Sequence, residues 1–131
     1  MRIGVVVNPV AGGNRGALVG AEVISLLSQS EHAVLDLSGK TLVEAKSNIE
    51  KALAGKSVDA VVFVGGDGMA HLGANVCANS QVPIALIAAG TGNDAAAMLG
   101  MPLSNTAESV RLVLAGLGSP CLLYTSDAAD E

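Results

Sequence analysis

The sequence predicts a doubly wound α/β fold: a parallel sheet with helices on both faces. Three observations carry this. Short β-branched runs alternate with amphipathic stretches, the connections between them are short, and three of the strand-like runs end in glycine-rich turns. Strands joined through helices return in the same direction, and right-handed crossovers then build a parallel sheet.

Length and composition agree with one compact unit. A chain of 131 residues can bury one core but is short for two. Half of it is apolar, sixteen residues are glycine, and one Phe and one Tyr are the only aromatics, so the core must be filled with Val, Ala, Leu and Ile. No apolar run approaches the roughly 18 residues that cross a bilayer, and the start, MRIGVVVNP, lacks the length and cleavage site of a signal peptide. A cytoplasmic protein is expected. Cys77 and Cys121 have neither CxxC nor Cys/His ligand spacing, which argues for incidental or buried thiols rather than a disulfide framework or a zinc site.

The last eleven residues, Cys121 to Glu131 (CLLYTSDAADE), have no helical or strand periodicity and hold the only tyrosine. The string resembles the translation of a transposase-based sequencing-library adapter, which marks it as a non-native tail with no part in the fold. It carries three acidic residues and no basic one, which takes the formal charge of the remainder from −5 to −2. No pull toward nucleic acid or an anionic membrane follows from so small a charge.

The elements follow in order. Arg2 to Val7 is a β-branched run stopped by Asn8-Pro9, continuous enough to be buried on both faces. After the turn Ala11 to Gly16, the segment Ala17 to Ser28 places Leu18, Ala21, Val23, Ile24 and Leu27 at helical spacing. Ala33 to Leu37 is a second strand. Thr41-Leu-Val-Glu44 is a capping box, in which the threonine oxygen accepts an orphan amide and the glutamate reaches back to the cap's own N–H. Its helix presents Leu42, Ala45, Ile49, Ala52 and Leu53 and closes at Gly55. Val58 to Val64 is the third strand, Met69 to Ala78 a helix, and Pro83 to Ala88 the fourth strand. A short helix runs to Leu99, and a last one, Thr106 to Ala115, gathers Val110, Val113, Leu114 and Leu117 with Glu108 near its start.

In open parallel sheets ligands bind outside the carboxyl ends of the strands. Three glycine-rich turns fall there: Asn8 to Gly16, Gly65 to Gly68, and Ala89 to Asp94. Glycine lets backbone amides approach a ligand, and the helix that follows adds unpaired N–H groups and the positive end of its dipole. Any one of these turns could be merely a tight turn, but three at one sheet edge point to a shared anionic ligand. GxxxxGK[ST] is absent and no lysine lies near the turns in sequence, which excludes a P-loop. Gly90-Thr-Gly-Asn-Asp-Ala95 fits GxGxxA, yet it follows the fourth strand and not the first, and lacks an acidic partner about 20 residues on, so a dinucleotide site is disfavoured. Asp67, at the centre of Gly65-Gly-Asp-Gly68, would be repelled by polyphosphate unless it met a metal or took a proton from a nucleophile. Both are phosphoryl-transfer roles. Its alternative is an Asx-turn on its own backbone.

Asn8-Pro9, Gly65-Gly-Asp-Gly68 and Gly90-Thr-Gly-Asn-Asp94, in that order and at these separations, carry a resemblance. From Met1 to Pro120 the chain resembles the amino-terminal catalytic domain of the diacylglycerol kinase family of lipid kinases, which includes sphingosine and ceramide kinases and is more distantly related to nicotinamide nucleotide kinases and phosphofructokinase. The resemblance implies a phosphofructokinase-like nucleotide-binding domain over residues 1–120, truncated before a β-sandwich domain. It implies transfer of the ATP γ-phosphate to a lipid hydroxyl, diacylglycerol first, with Mg²⁺ as cofactor. It further implies contact with ATP and a lipid acceptor at a membrane surface, and none with nucleic acid. A sphingoid-base or nicotinamide nucleotide kinase, and a non-catalytic ATP-binding module, remain the alternatives, and self-association stays open.

Carried over by residue, the resemblance implies that Asn8, Pro9, Val10, Ala11 and Gly12 cradle nucleotide phosphate. Gly65, Gly66, Asp67, Gly68, Met69, Ala70 and His71 would lie along ATP, with Gly90, Thr91, Gly92 and Asn93 beside them and Thr91 offering its hydroxyl. Ser38 stands loosely where the family has a nucleotide-contacting threonine. Asp67 would be the catalytic carboxylate, acting on Mg²⁺ or on the acceptor proton, and Asp94 either joins it or caps the helix that follows. Met69, Leu72 and Ala89 depart from the family's usual threonine, glutamate and proline, so one phosphate contact is lost at residue 69. The family's β-sandwich domain supplies further metal ligands and a general base, and this fragment is therefore expected to be inactive alone.

Overall fold

A computed structural model describes residues 1–8, 15–77, 80–90 and 92–116. The expectations for Pro9 to Gly12, Ala78, Thr91, Leu117 and the tail with Cys121 lie outside the described residues. Nine elements follow in order: β1 (Arg2–Val7), α1 (Arg15–Ser28), β2 (Ala33–Asp36), α2 (Leu42–Ala54), β3 (Ala60–Gly65), α3 (Asp67–Val76), β4 (Ile84–Ala88), α4 (Asp94–Met98) and α5 (Thr106–Gly116). The four strands form one parallel sheet in the order β2-β1-β3-β4. The expected fold class is the one observed.

Strand side chains alternate between two cores, as period two demands. Val61 and Phe63 point to the face covered by α2, α3 and α4, with Ile49, Met69 and Ala96. Val62 and Val64 point to the face covered by α1 and α5, with Val23, Leu27, Val110 and Val113. Both sides of β3 are therefore dry, and all six of its residues are buried. Each fully buried Val, Ile or Phe contributes about 1.5–3 kcal/mol relative to exposure, so the continuous apolar runs read in the sequence are what hold this sheet.

The face of α1 differs from the one expected. Leu18 and Ala21 are exposed, and the buried stripe is Gly16, Val19, Gly20, Val23 and Leu27. The reason is steric: a Cβ on Gly20 would overlap the Val7 side chain. The helix approaches β1 through its glycines, and counting large apolar residues rotates the predicted face.

Several boundaries move by one or two residues, α1 beginning at Arg15 for example, and those of β3 and α3 have visible causes. β3 begins at Ala60, two residues later than expected, because Asp59 turns to β1. The Arg2 N–H donates to Asp59 Oδ2 at 2.7 Å, and the Arg2 guanidinium lies 3.4 Å from Oδ1. These contacts hold the Asp59 carboxyl below its ordinary range. α3 begins at Asp67, two residues earlier than expected, with Gly66 as its cap. At α2 half of the capping box forms: the Glu44 N–H donates to Thr41 Oγ1 at 3.1 Å, while the Glu44 carboxylate makes no return bond among the described residues.

Candidate functional site

The strand order places a topological switch between β1 and β3, since the chain leaves β1 toward β2 on one side and later adds β3 and β4 on the other. The crevice at the carboxyl ends of such a pair is where doubly wound sheets hold ligands. The strand ends are level there. Val7 pairs in register with Val64 and Val64 with Ile87. The ladder continues one step past the strands, with Asn8 N–H donating to the Val64 carbonyl at 3.2 Å and Ala89 N–H to the Gly65 carbonyl at 2.9 Å.

Two of the three glycine turns meet backbone to backbone. A Cβ on Gly66 would lie 2.5 Å from the Gly92 carbonyl oxygen, and one on Gly90 would lie 2.5 Å from Gly66 Cα. The Asp67 N–H donates to the Gly92 carbonyl at 2.9 Å across this contact. The glycines at 66 and 90 are thus required by each other, independently of any ligand.

Asn93 holds the second turn closed. Its carboxamide oxygen accepts the Gly90 N–H at 3.2 Å and its amide donates to the Gly90 carbonyl at 2.9 Å. Asn93 is also the N-cap position of α4, but with its side chain turned back to Gly90 it makes no capping bond. Asp67 supplies that bond from the neighbouring turn: the Ala95 N–H donates to Asp67 Oδ1 at 2.9 Å. The Asx-turn alternative for Asp67 is replaced by this longer-range contact, and the capping role weighed for Asp94 belongs to Asp67. Asp94 and His71 are both exposed.

The first turn of α3 leaves one amide over. Asp67 N–H is bound to Gly92, and Met69 and Ala70 N–H both donate to the Gly66 carbonyl at 3.1 and 3.2 Å. Gly68 N–H has no acceptor among the described residues, and nothing lies within 4 Å of where a Gly68 Cβ would sit. An unpaired amide on an exposed residue at the start of a ten-residue helix suits an anion. Met69 points the other way. It is buried against Gly65, where a Cβ would overlap it, and with its N–H bound to Gly66 residue 69 offers a ligand neither side chain nor free amide.

At the ends of β1 and β2 a cleft of about 160 Å³ is lined by Val7, Asn8, Gly39, Lys40, Thr41, Leu42 and Ala45. Ser38, half-buried at its edge, accepts the Val7 N–H on Oγ at 2.8 Å, and Asn48 donates to the Leu37 carbonyl at 3.1 Å behind it. Lys40, although not near the turns in sequence, approaches the first of them in space. It is 32 residues from Asn8 along the chain, and the pairing of β2 with β1 brings both to one cleft. A cavity of about 220 Å³ behind the turns, lined by Phe63, Ala70, Ile84, Ala85, Leu86, Ala95, Met98 and Leu99, has no polar side chain and nothing to offer phosphate.

Among the described residues no three His, Cys, Asp or Glu side chains converge on a point where they could hold a metal. No helix among them is long and apolar enough to cross a membrane.

Comparison with known proteins agrees with this architecture. Residues 2–122 match the family described as "Diacylglycerol kinase catalytic domain". Two proteins named diacylglycerol kinase, from two strains of Mycobacterium tuberculosis, are each 31% identical over 109 residues, which is 83% of this chain and 35% of theirs. The chain thus spans about a third of the length of these curated relatives. The crystal structure of a diacylglycerol kinase from Bacillus anthracis str. Sterne superposes with a TM-score of 0.69 at 26% identity, covering 86% of this chain and 39% of that one. With the match extending across its whole described sheet and both interlocked glycine turns, the chain belongs to the diacylglycerol kinase catalytic domain family.

Proposed function

We propose that this chain is the ATP-binding part of a lipid kinase that transfers the ATP γ-phosphate to a lipid hydroxyl, converting diacylglycerol to phosphatidic acid. The observation that carries the proposal is the Gly68 amide, unpaired among the described residues and on an exposed residue, beside the interlocked turns at the switch point. Phosphate placed there receives a backbone donor and the positive end of α3. Asn8 borders the same surface from β1, and Lys40 supplies a positive charge from the cleft beside it. Family membership selects a kinase among phosphate-binding proteins.

Catalysis in phosphoryl transfer is mostly positioning and charge neutralisation. These residues serve the first by holding the nucleotide at a fixed strand edge. A resident Mg²⁺ does not fit this chain alone, because no ligand cluster forms among the described residues and Asp67 has committed one carboxylate oxygen to Ala95. We therefore assign no step to the ion and treat it as carried by ATP. In this reading the acceptor is met at a membrane surface by a protein that touches the bilayer without a spanning helix among the described residues.

The test is the protein expressed from its full reading frame, incubated with γ-labelled ATP and diacylglycerol in mixed micelles. Label in phosphatidic acid is the expected result. Label in a sphingoid base or in a nicotinamide nucleotide would reassign the acceptor. ATP binding without transfer to any of the three would make the domain a non-catalytic nucleotide module.

A further inference from the structure

We propose that Asp67 is a positioning residue: it locks the turn after β4 onto the turn after β3, so that both present one rigid surface to the nucleotide. This rests on the nucleotide-binding reading above and changes what its central carboxylate does. The sequence casts Asp67 as a group acting on metal or proton, and the geometry gives it other work.

Asp67 joins the two turns twice, through its backbone and its side chain. Its N–H donates to the Gly92 carbonyl at 2.9 Å, and its Oδ1 accepts the Ala95 N–H at 2.9 Å. The second bond falls on α4, a helix of five residues whose own cap residue is turned away to Gly90. So short a helix has few internal bonds, and an outside acceptor for its first-turn amide decides whether it stays wound. The other carboxylate oxygen lies beside Gly92, where an added Cβ would come within 3.1 Å of Oδ2. No other side-chain hydrogen bond among the described residues joins these two turns. Without the Ala95 bond, Gly66 and Gly90 would still touch and Ala96 would still pack in the core beside Met69, but no side-chain hydrogen bond would hold α4 and its turn in register with α3.

What the lock needs from residue 67 is an acceptor oxygen, while a role in metal or proton chemistry needs a carboxylate. The two separate by substitution. Asparagine keeps an oxygen for the Ala95 amide, and alanine does not. We expect Asp67→Ala in the 131-residue chain to weaken MgATP binding about tenfold, the scale of losing one hydrogen bond to a charged group. Asp67→Asn should recover affinity to within about threefold of the unaltered chain. Ala95→Pro removes the same bond from the other end, at a first-turn position that tolerates proline. Asp67→Ala should then cost less than about twofold more in that background.

Amide hydrogen exchange at Ala95 reads the lock without any nucleotide: protection should be lost in Asp67→Ala and kept in Asp67→Asn. Circular dichroism melts of each variant confirm that the sheet is folded. Equal losses of affinity in the Asn and Ala variants, or additive effects of Asp67→Ala and Ala95→Pro, would overturn the proposal in favour of a charge-dependent role. Unchanged Ala95 exchange in Asp67→Ala would overturn it as well. If the unaltered chain binds no MgATP, the nucleotide reading fails, and Ala95 exchange by itself decides whether Asp67 holds the turns together.

Discussion

Gly66 and Gly90 meet with no side chain between them: a Cβ on Gly90 would sit 2.5 Å from Gly66 Cα and 2.7 Å from Gly66 N. Each follows the end of a buried strand, and each sits in a turn proposed above to face phosphate. Because the contact is backbone on backbone, nothing flexible can yield to an added methyl group. The turns would have to part, which breaks the Asp67 N–H bond to Gly92.

Gly66→Ala and Gly90→Ala should therefore each destabilise the domain by about 2–3 kcal/mol, combining overpacking strain with one lost hydrogen bond. Urea unfolding followed by circular dichroism measures this as a fall in the midpoint at constant slope. A midpoint unchanged in both variants would mean that the turns separate freely and are not interlocked.

Cys77 gives a pH-dependent and chemical test of the core. It is 1% exposed, and burial pushes its thiol up to about 11 from an ordinary value of 9.0. The folded state favours the neutral thiol, so its contribution to stability is complete below the unfolded value and is lost as the pH rises through that value toward the folded one. At a pH of about 8 the group is neither ionised nor reachable. Iodoacetamide at that pH should leave Cys77 unmodified in the folded chain and label it fully in urea, as read by peptide mass mapping. Rapid labelling in the folded state would show that the region between α3 and β4 opens locally.

How much of this is legible in the sequence depends on how far apart the interacting residues lie. β1, β3 and β4 are readable because each carries a continuous apolar run, which in β1 starts after the exposed Arg2, and both faces of the sheet are covered. The buried face of α1 is not, because its closest contact is made by Gly20, and a periodicity argument scores glycine as empty. The glycines of the two turns are readable as close-approach positions, but what approaches Gly66 is Gly90 itself. Asp67 stands out as an important carboxylate, yet its partner is a backbone amide 28 residues on, which no residue type announces. Lys40 escapes notice for the complementary reason: only the β1–β2 pairing brings it to Asn8.

Gly68 separates stability from binding more sharply than any other position. It is the second residue of α3, its N–H has no acceptor among the described residues, and no atom lies within 4 Å of where its Cβ would be. Alanine therefore fits the ligand-free chain without strain, and by restricting the unfolded backbone it should raise stability by about 0.4–1 kcal/mol. The same methyl group would project into the open space that the proposed phosphate occupies, displacing it from the free amide of the turn. MgATP affinity should then fall about tenfold or more, the scale of one lost hydrogen bond to a charged group. Thermal melts and calorimetric titration on one preparation read both effects. A variant that melts higher and binds more weakly places Gly68 on the ligand surface, whereas a higher melting point with unchanged affinity removes Gly68 from it and moves the nucleotide toward the Lys40 cleft.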